Sequence, residues 1–218
     1  MSEKTITTLF VDIGGVLLSN GWGHEFRHRA AGKFNLDKQA MDERHSTVFM
    51  PYERGELTLE EYLKKVVFYQ KRDFTIREFR DYMFSLTTPH AGMINLIKSL
   101  KRQYGLKVVA VSNEARELNA YRIRTFELTG VIDFFVSSCY VHLRKPDARI
   151  FELALDLTAA APDEVIYIDD IQQFVDVAEE MGIKSICHAE YSLTRDALAA
   201  SGLTIMLDLC EAANLNNL

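Results

Sequence analysis

Four short stretches of the chain carry side chains that could share one piece of chemistry. "TITTLFVDIGGVLLS", from Thr5 to Ser19, brings an apolar run to a lone carboxylate, Asp12, followed by Gly14 and Gly15. "VVAVSNE" closes on Ser112 and Asn113, "HLRKPDARIF" sets Lys145 before Pro146, and "VIYIDDI" ends on Asp169 and Asp170. A strand that stops on an acid and turns through glycines presents that acid as a nucleophile or a metal ligand. Three acids, one base and one hydroxyl facing one mouth suit phosphoryl transfer. A carboxylate approaches a phosphate dianion only when negative charge is neutralised. A hard divalent cation on Asp12 and the Asp169–Asp170 pair would do this through oxygen donors. Lys145 balances the remaining charge and orients the nucleophile. The Ser112 hydroxyl and the backbone amides of Asn113 and of the Ile13-Gly14-Gly15 turn hold the phosphate oxygens.

Such convergence needs elements that bring the four stretches to one edge. Apolar runs at Ile6–Val11, Lys107–Val111, Phe134–Val136, Val165–Ile168 and Ile183–Cys187 are short, rich in Val and Ile, and separated by helical patterns. They predict a parallel α/β sheet, whose strands end together on the side where ligands bind. From Asn20 to Thr88 there is no strand signal. Helices are expected at His24–Phe34 and Asp37–Phe49. Thr58-x-x-Glu61 and Thr75-x-x-Glu78 are capping boxes opening two more. Leu59, Tyr62, Leu63, Val66 and Val67 form the buried stripe of the first, and Ile76, Phe79 and Met83 that of the second. Pro89 is expected in the first turn of a helix that points Met93, Ile97, Leu100 and Tyr104 inward, and another helix is expected directly after Pro146. Residues 20–88 thus read as a four-helix insertion beside a core built from 1–19 and 89–218.

The bulk properties exclude several classes. An apolar share of 48% fills a core, and only a short tail, Ala212 to Leu218, reads as disordered. The net charge of −6 has no basic block, which argues against nucleic acid and anionic membranes. No apolar run approaches the ~20 residues that span a bilayer, and no secretory signal opens the chain. Cys139, Cys187 and Cys210 are odd in number and lack CxxC spacing, pointing to a reducing cytoplasm rather than disulfides or zinc. Oligomeric state is left open.

Hydrophobic-DxxGV, hydrophobic-SN, KP and hydrophobic-DD, in that order, resemble the four motifs of the haloacid dehalogenase superfamily. The helical insertion resembles its helical cap, and "YERGELTLEEYL" is similar to cap sequences of phosphatase-like members. The resemblance covers nearly the whole chain. It implies a Rossmann-like parallel sheet flanked by helices with an inserted four-helix cap domain. It implies Asp12 as nucleophile, Ser112 as phosphate ligand and Lys145 as organising base. It also implies a Mg2+ site from Asp12, the Gly14 carbonyl and Asp170, with Asp169 adjacent.

Gly14 departs from that pattern. Most family phosphatases carry an aspartate there, which protonates the leaving group and then activates water, a service typically worth ~10²–10⁴-fold. Phe174 stands where relatives often carry Asn, and with Val177, Ala178 and Met181 it reads as core. Trp22 and His24 could shape a substrate pocket, His24 being the best histidine to replace the missing acid. Arg116 could reach a substrate anion. Asp176 reads as solvated and Cys139 as buried rather than nucleophilic. The leading expectation is a magnesium-dependent phosphatase of a small phosphorylated metabolite, acting through a phospho-aspartate. The alternatives are an impaired member that senses or binds a phosphorylated ligand, and a 2-haloacid dehalogenase, which the acidic pair disfavours. A response-regulator receiver would need no cap and would place its acidic pair first.

Overall fold

The computed structural model describes residues 5–205. Cys210 and the tail from Ala212 lie outside the described residues. Five strands, β1 (Thr8–Val11), β2 (Lys107–Ser112), β3 (Phe134–Ser137), β4 (Val165–Asp169) and β5 (Lys184–Cys187), form one sheet in the order β3-β2-β1-β4-β5. Every pairing is parallel. Strands buried on both faces need no apolar–polar alternation, which is why β1 and β4 are buried at every position.

Helices α1 (His24–Lys33), α2 (Lys38–Glu53), α3 (Leu59–Val66) and α4 (Ile76–Ser85) follow β1. Both capping boxes form: Thr58 pairs with Glu61, and Thr75 with Glu78. The four helices share a hydrophobic cluster built on Tyr62, Leu63, Val67, Phe79 and Met83, joined by Ala115 and Leu118 from the chain after β2 and distinct from the clusters on the two sheet faces. Where the chain leaves for these helices and where it returns, Ser19 and Thr88 clamp one another. The Ser19 amide donates to the Thr88 carbonyl at 2.8 Å, and the Thr88 amide to Ser19 Oγ at 3.0 Å.

The remaining helices are α5 (Ala91–Tyr104), α6 (Arg116–Thr125), α7 (Ser138–Val141), α8 (Arg149–Thr158), α9 (Gln172–Glu180) and α10 (Tyr191–Ala200). Three expectations need correction. Helix α2 does not stop at Phe49 but runs through Pro51, which stands in its last turn, where little helix remains to be disrupted. Helix α5 begins after Pro89. It buries Met93, Ile97 and Leu100, but Tyr104 is exposed and its hydroxyl donates to the Thr204 carbonyl. After Pro146 the chain runs two residues, Asp147 and Ala148, before α8 begins at Arg149.

Candidate active site

The strand order makes β1 the centre of the sheet, flanked by β2 and β4. Chain leaves β2 toward one side and β4 toward the other, so a crevice opens at their carboxyl ends. Val11 is level with Ile168, and one residue further on stand Asp12 and Asp169. Ser112 ends β2 beside them. Oxygen atoms of Asp12, Asp169 and Asp170 lie within 4.8 Å of one another.

Lys145 is the hub of this group. It is fully buried, with Nζ 3.1 Å from Asp12 Oδ1 and in close contact with Asp169 Oδ2. Asn113 holds its backbone from both sides: the Lys145 amide donates to Asn113 Oδ1 at 2.8 Å, and Asn113 Nδ2 donates to the Lys145 carbonyl at 3.0 Å. The Tyr167 hydroxyl donates to Asp169 Oδ2 and lies 3.1 Å from Lys145 Nζ. The other oxygen of Asp169 accepts from the Ile171 amide at 2.8 Å. Both Asp169 oxygens are therefore engaged by the protein. Asp170 differs, because its Oδ1 is buried with no hydrogen-bond partner and its Oδ2 receives only a long contact from Asn20, 3.4 Å.

The electrostatics follow from this crowding. Burial raises the Asp12 carboxyl to about 7, against the pull of Lys145 and with the push of Asp169. Burial and Asp169 likewise raise Asp170. Burial opposes the charge on Lys145, yet Asp12 and Asp169 outweigh it and hold the ammonium form. The site carries more carboxylate than one ammonium compensates.

The glycine turn is built around this group. The Ile13 amide contacts Ser112 Oγ at 3.4 Å, and Ser112 Oγ lies 3.5 Å from Glu114 Oε1. Gly15 has φ +78°, and a Cβ there would stand 2.2 Å from Asp170 Oδ2, so only glycine fits. Gly14 has no such constraint.

A cavity of about 880 Å³ opens over the group, lined by Asp12, Gly14, Asn113 and Asp170 below and by Trp22, His24, His45, Phe49 and Tyr52 above. Trp22 Nε1 donates to the Tyr62 hydroxyl at 2.8 Å, and that hydroxyl lies 2.7 Å from His45 Nδ1. Burial and the Arg27 charge push His45 down to about 4, so the ring is neutral.

Of the residues singled out from sequence, Asp12, Ser112, Asn113, Lys145, Asp169, Asp170 and the Ile13–Gly14 turn are brought together. Trp22 and His24 line the cavity above them. His24 is not a free acid, however, because its Nε2 lies 3.2 Å from Asp42 Oδ2. Arg116 does not line the cavity. It donates to the Cys139 carbonyl at 2.7 Å and rests over Tyr140. Phe174 is buried as core but also lines the cavity, beneath Lys145 Nζ at 5.0 Å. Asp176 is exposed, and burial pushes the Cys139 thiol up to about 12. Sequence reasoning missed the buried Glu114–Arg122 pair and the Glu53–Arg144 pair, all four residues lining the cavity. Glu114 directly follows the Ser112-Asn113 motif, and that adjacency was the available signal.

A parallel α/β sheet with a carboxylate at the end of its central strand and a lysine–acid cluster beside it defines a class of hydrolases. The model of the haloacid dehalogenase-like hydrolase family matches residues 28–188, well over half of the chain, and the protein belongs to that family. It is 25% identical over 168 residues to flavin mononucleotide hydrolase 1 of Arabidopsis thaliana, covering 77% of this chain and 67% of that protein. It is 26% identical over 133 residues to bifunctional epoxide hydrolase 2 of Rattus norvegicus, covering 59% of this chain but only 23% of that longer protein. Among solved structures it superposes on a haloacid dehalogenase family enzyme from Bacteroides thetaiotaomicron with TM-score 0.73. The identity is 21%, and the match covers 85% of this chain and 95% of the other. The same enzyme is also known as a complex with magnesium and inorganic phosphate. An L-2-haloacid dehalogenase from Xanthobacter autotrophicus superposes with TM-score 0.60 at 13% identity, covering 92% of this chain and 85% of that one, a likeness of fold alone. Among the described residues no helix is long and apolar enough to cross a membrane.

Proposed function

We propose that the protein is a magnesium-dependent phosphatase of a small phosphorylated metabolite, with Asp12 as nucleophile. The observation that carries this reading is the pairing of Asp12 with a buried Lys145 beside Asp170, whose buried Oδ1 has no protein partner. Hard oxygen donors with uncompensated charge fit Mg2+, and Asp12 and Asp170 with the Gly14 carbonyl would hold it. Asp169, with both oxygens engaged, serves instead as the anchor of Lys145. When bound, the ion neutralises charge between carboxylate and phosphate and polarises the phosphoryl group.

The chain's own residues do the rest. An Asp12 carboxylate oxygen bonds to phosphorus as the bond to the leaving oxygen breaks, and the leaving group departs with the electron pair as an oxyanion, to be protonated afterwards by solvent where its basicity demands it. Water then attacks phosphorus, the bond to Asp12 breaks, and inorganic phosphate and the free carboxylate result. Lys145 orients Asp12 through both steps. The Ser112 hydroxyl and the amides at Ile13, Gly14 and Asn113 bind the phosphoryl oxygens as charge shifts onto them. Gly14 offers no carboxyl to protonate the leaving group, which favours anomeric, acyl or aryl phosphates. Residues 20–88 act as the cap that selects the substrate over a core of 1–19 and 89–218. The flavin mononucleotide hydrolase relative and the magnesium–phosphate complex of the structural neighbour support a phosphorylated substrate. Cys139 and Cys187 as free thiols support a reducing compartment such as the cytoplasm.

Gly14 also favours a second reading, a member that binds a phosphorylated ligand without turning it over. A panel of phosphorylated metabolites assayed for phosphate release with and without magnesium decides between them. Magnesium-dependent release from at least one supports the phosphatase. Tight binding without release supports the second reading, and metal-free halide release from 2-haloacids contradicts both.

A further inference from the structure

Helix α1 presents two histidines four residues apart, His24 and His28, on one face, and α2 presents Asp42 opposite them. His28 Nε2 lies 2.6 Å and His24 Nε2 3.2 Å from the same oxygen, Asp42 Oδ2. The two imidazoles stand 3.8 Å apart, centroid to centroid, and the three donor atoms fall within 4.8 Å of one another. The other carboxylate oxygen, Oδ1, accepts from Arg27 Nε at 2.8 Å, and Arg27 Nη1 is itself fixed on the Trp22 carbonyl at 2.9 Å. Arg27 therefore aims Oδ2 at the two rings, as an outer partner orients a metal-ligating carboxylate.

Without a cation, each neutral imidazole as its Nε2–H tautomer donates to Asp42 Oδ2. With the ring protons on Nδ1 instead, both Nε2 lone pairs and the carboxylate converge on one point, where a cation takes the place of the two hydrogen bonds. Two nitrogens and one oxygen are the donor set of a borderline transition metal rather than of magnesium. His24 is largely exposed, which leaves room for water to complete the shell. We infer that His24, His28 and Asp42 form a binding site for a zinc-class divalent cation, pinning α1 to α2 at the rim of the cavity. The site is separate from the carboxylates of Asp12 and Asp170 and does not rest on the phosphatase reading.

The test uses the full chain carrying Asp12→Asn and Asp170→Asn, which removes the carboxylate site as a competitor. Metal-stripped protein is titrated with Zn2+ against a chromophoric chelator and with Co2+ followed by its visible absorption. The expected result is one equivalent bound, with a cobalt spectrum of nitrogen–oxygen ligation and a zinc-induced rise in melting temperature. Adding His24→Ala or His28→Ala should weaken binding at least ~10-fold and abolish the rise. His24 has a side-chain exposure of 68%, so its variant folds and carries the test alone if His28→Ala does not. Equal zinc binding with and without His24, or none in the parent, overturns the proposal.

Discussion

Asn20 Oδ1 stands 3.5 Å from the point a Cβ on Gly14 would occupy, and Asn20 Nδ2 reaches toward Asp170 Oδ2 at 3.4 Å. The space where the family resemblance leads one to expect an acid is thus bordered by an amide already turned to the acidic pair. Ordinary van der Waals room and no positive φ at Gly14 mean that Gly14→Asp folds. It should raise the steady-state rate by up to ~10²–10⁴-fold, most on alkyl phosphates whose leaving group needs a proton. Comparing kcat on alkyl and aryl phosphates measures this. Gly15→Ala should instead inactivate, since its Cβ would collide with Asp170 and its φ is +78°.

Asp12→Asn should remove turnover and stabilise the cation-free protein. The Asp12 carboxyl sits at about 7 when folded, against an ordinary 3.8. Stability from its protonated form is complete below about pH 4 and is lost as pH rises through about 7. The asparagine variant has no such loss. At pH 8 without divalent ions it should be the more stable of the two, and the difference should shrink toward pH 4. Urea melts at pH 4 and pH 8 check the sign, and added magnesium should narrow the gap.

Removing Lys145 should be costly in two ways. Lys145→Met leaves Asp12 and Asp169 buried without their cation, a change typically worth ~3–5 kcal/mol of stability, and it ends turnover. Tyr167→Phe is milder. Its ring stays packed edge-on against Phe151 at 5.0 Å, while the lost hydroxyl should lower kcat by roughly 10–100-fold, the worth of one hydrogen bond to a charged group. Chemical denaturation and steady-state kinetics separate the two variants.

His45 places a neutral imidazole at the cavity wall. His45→Phe keeps an aromatic surface beside Phe49, a ring stacked at 5.2 Å, and removes both the Nδ1 contact to Tyr62 and any donor the ring offers to substrate. If the donor contacts substrate, KM rises while kcat holds, and the effect is the same from pH 6 to 8 because the ring titrates near 4.

How much of this was legible depended on the range of each interaction. The capping boxes of α3 and α4 are complete within four residues, so sequence carried them outright. Asp12, Ser112 and Asp169 were legible because each ends an apolar run, and a parallel sheet aligns such ends. The turn after Pro146 and the continuation of α2 through Pro51 were not, since a proline rule is local and packing decided the outcome. Arg122 lies in a polar-looking segment, yet it is buried. Its partners are Glu114 and the Ser19 carbonyl, the latter 103 residues distant in sequence. His24 looked like a spare acid because its partner Asp42 sits on another helix. Arg116 looked available because nothing nearby in sequence marks the Cys139 carbonyl that holds it.

The central claim is a covalent phosphoryl group on Asp12, and the direct measurement is rapid-quench mass spectrometry. The enzyme is mixed with an aryl phosphate and magnesium, quenched in acid on the millisecond scale, and digested. With no carboxyl at position 14 to activate water, breakdown should be the slow step. A burst of leaving group close to one per active site should precede the steady state. During that burst the peptide containing Asp12 should gain the mass of one phosphoryl group, and Asp12→Asn should show neither burst nor adduct. Turnover of wild type with no adduct on that peptide at any quench time, or an adduct that persists in Asp12→Asn, would contradict the account.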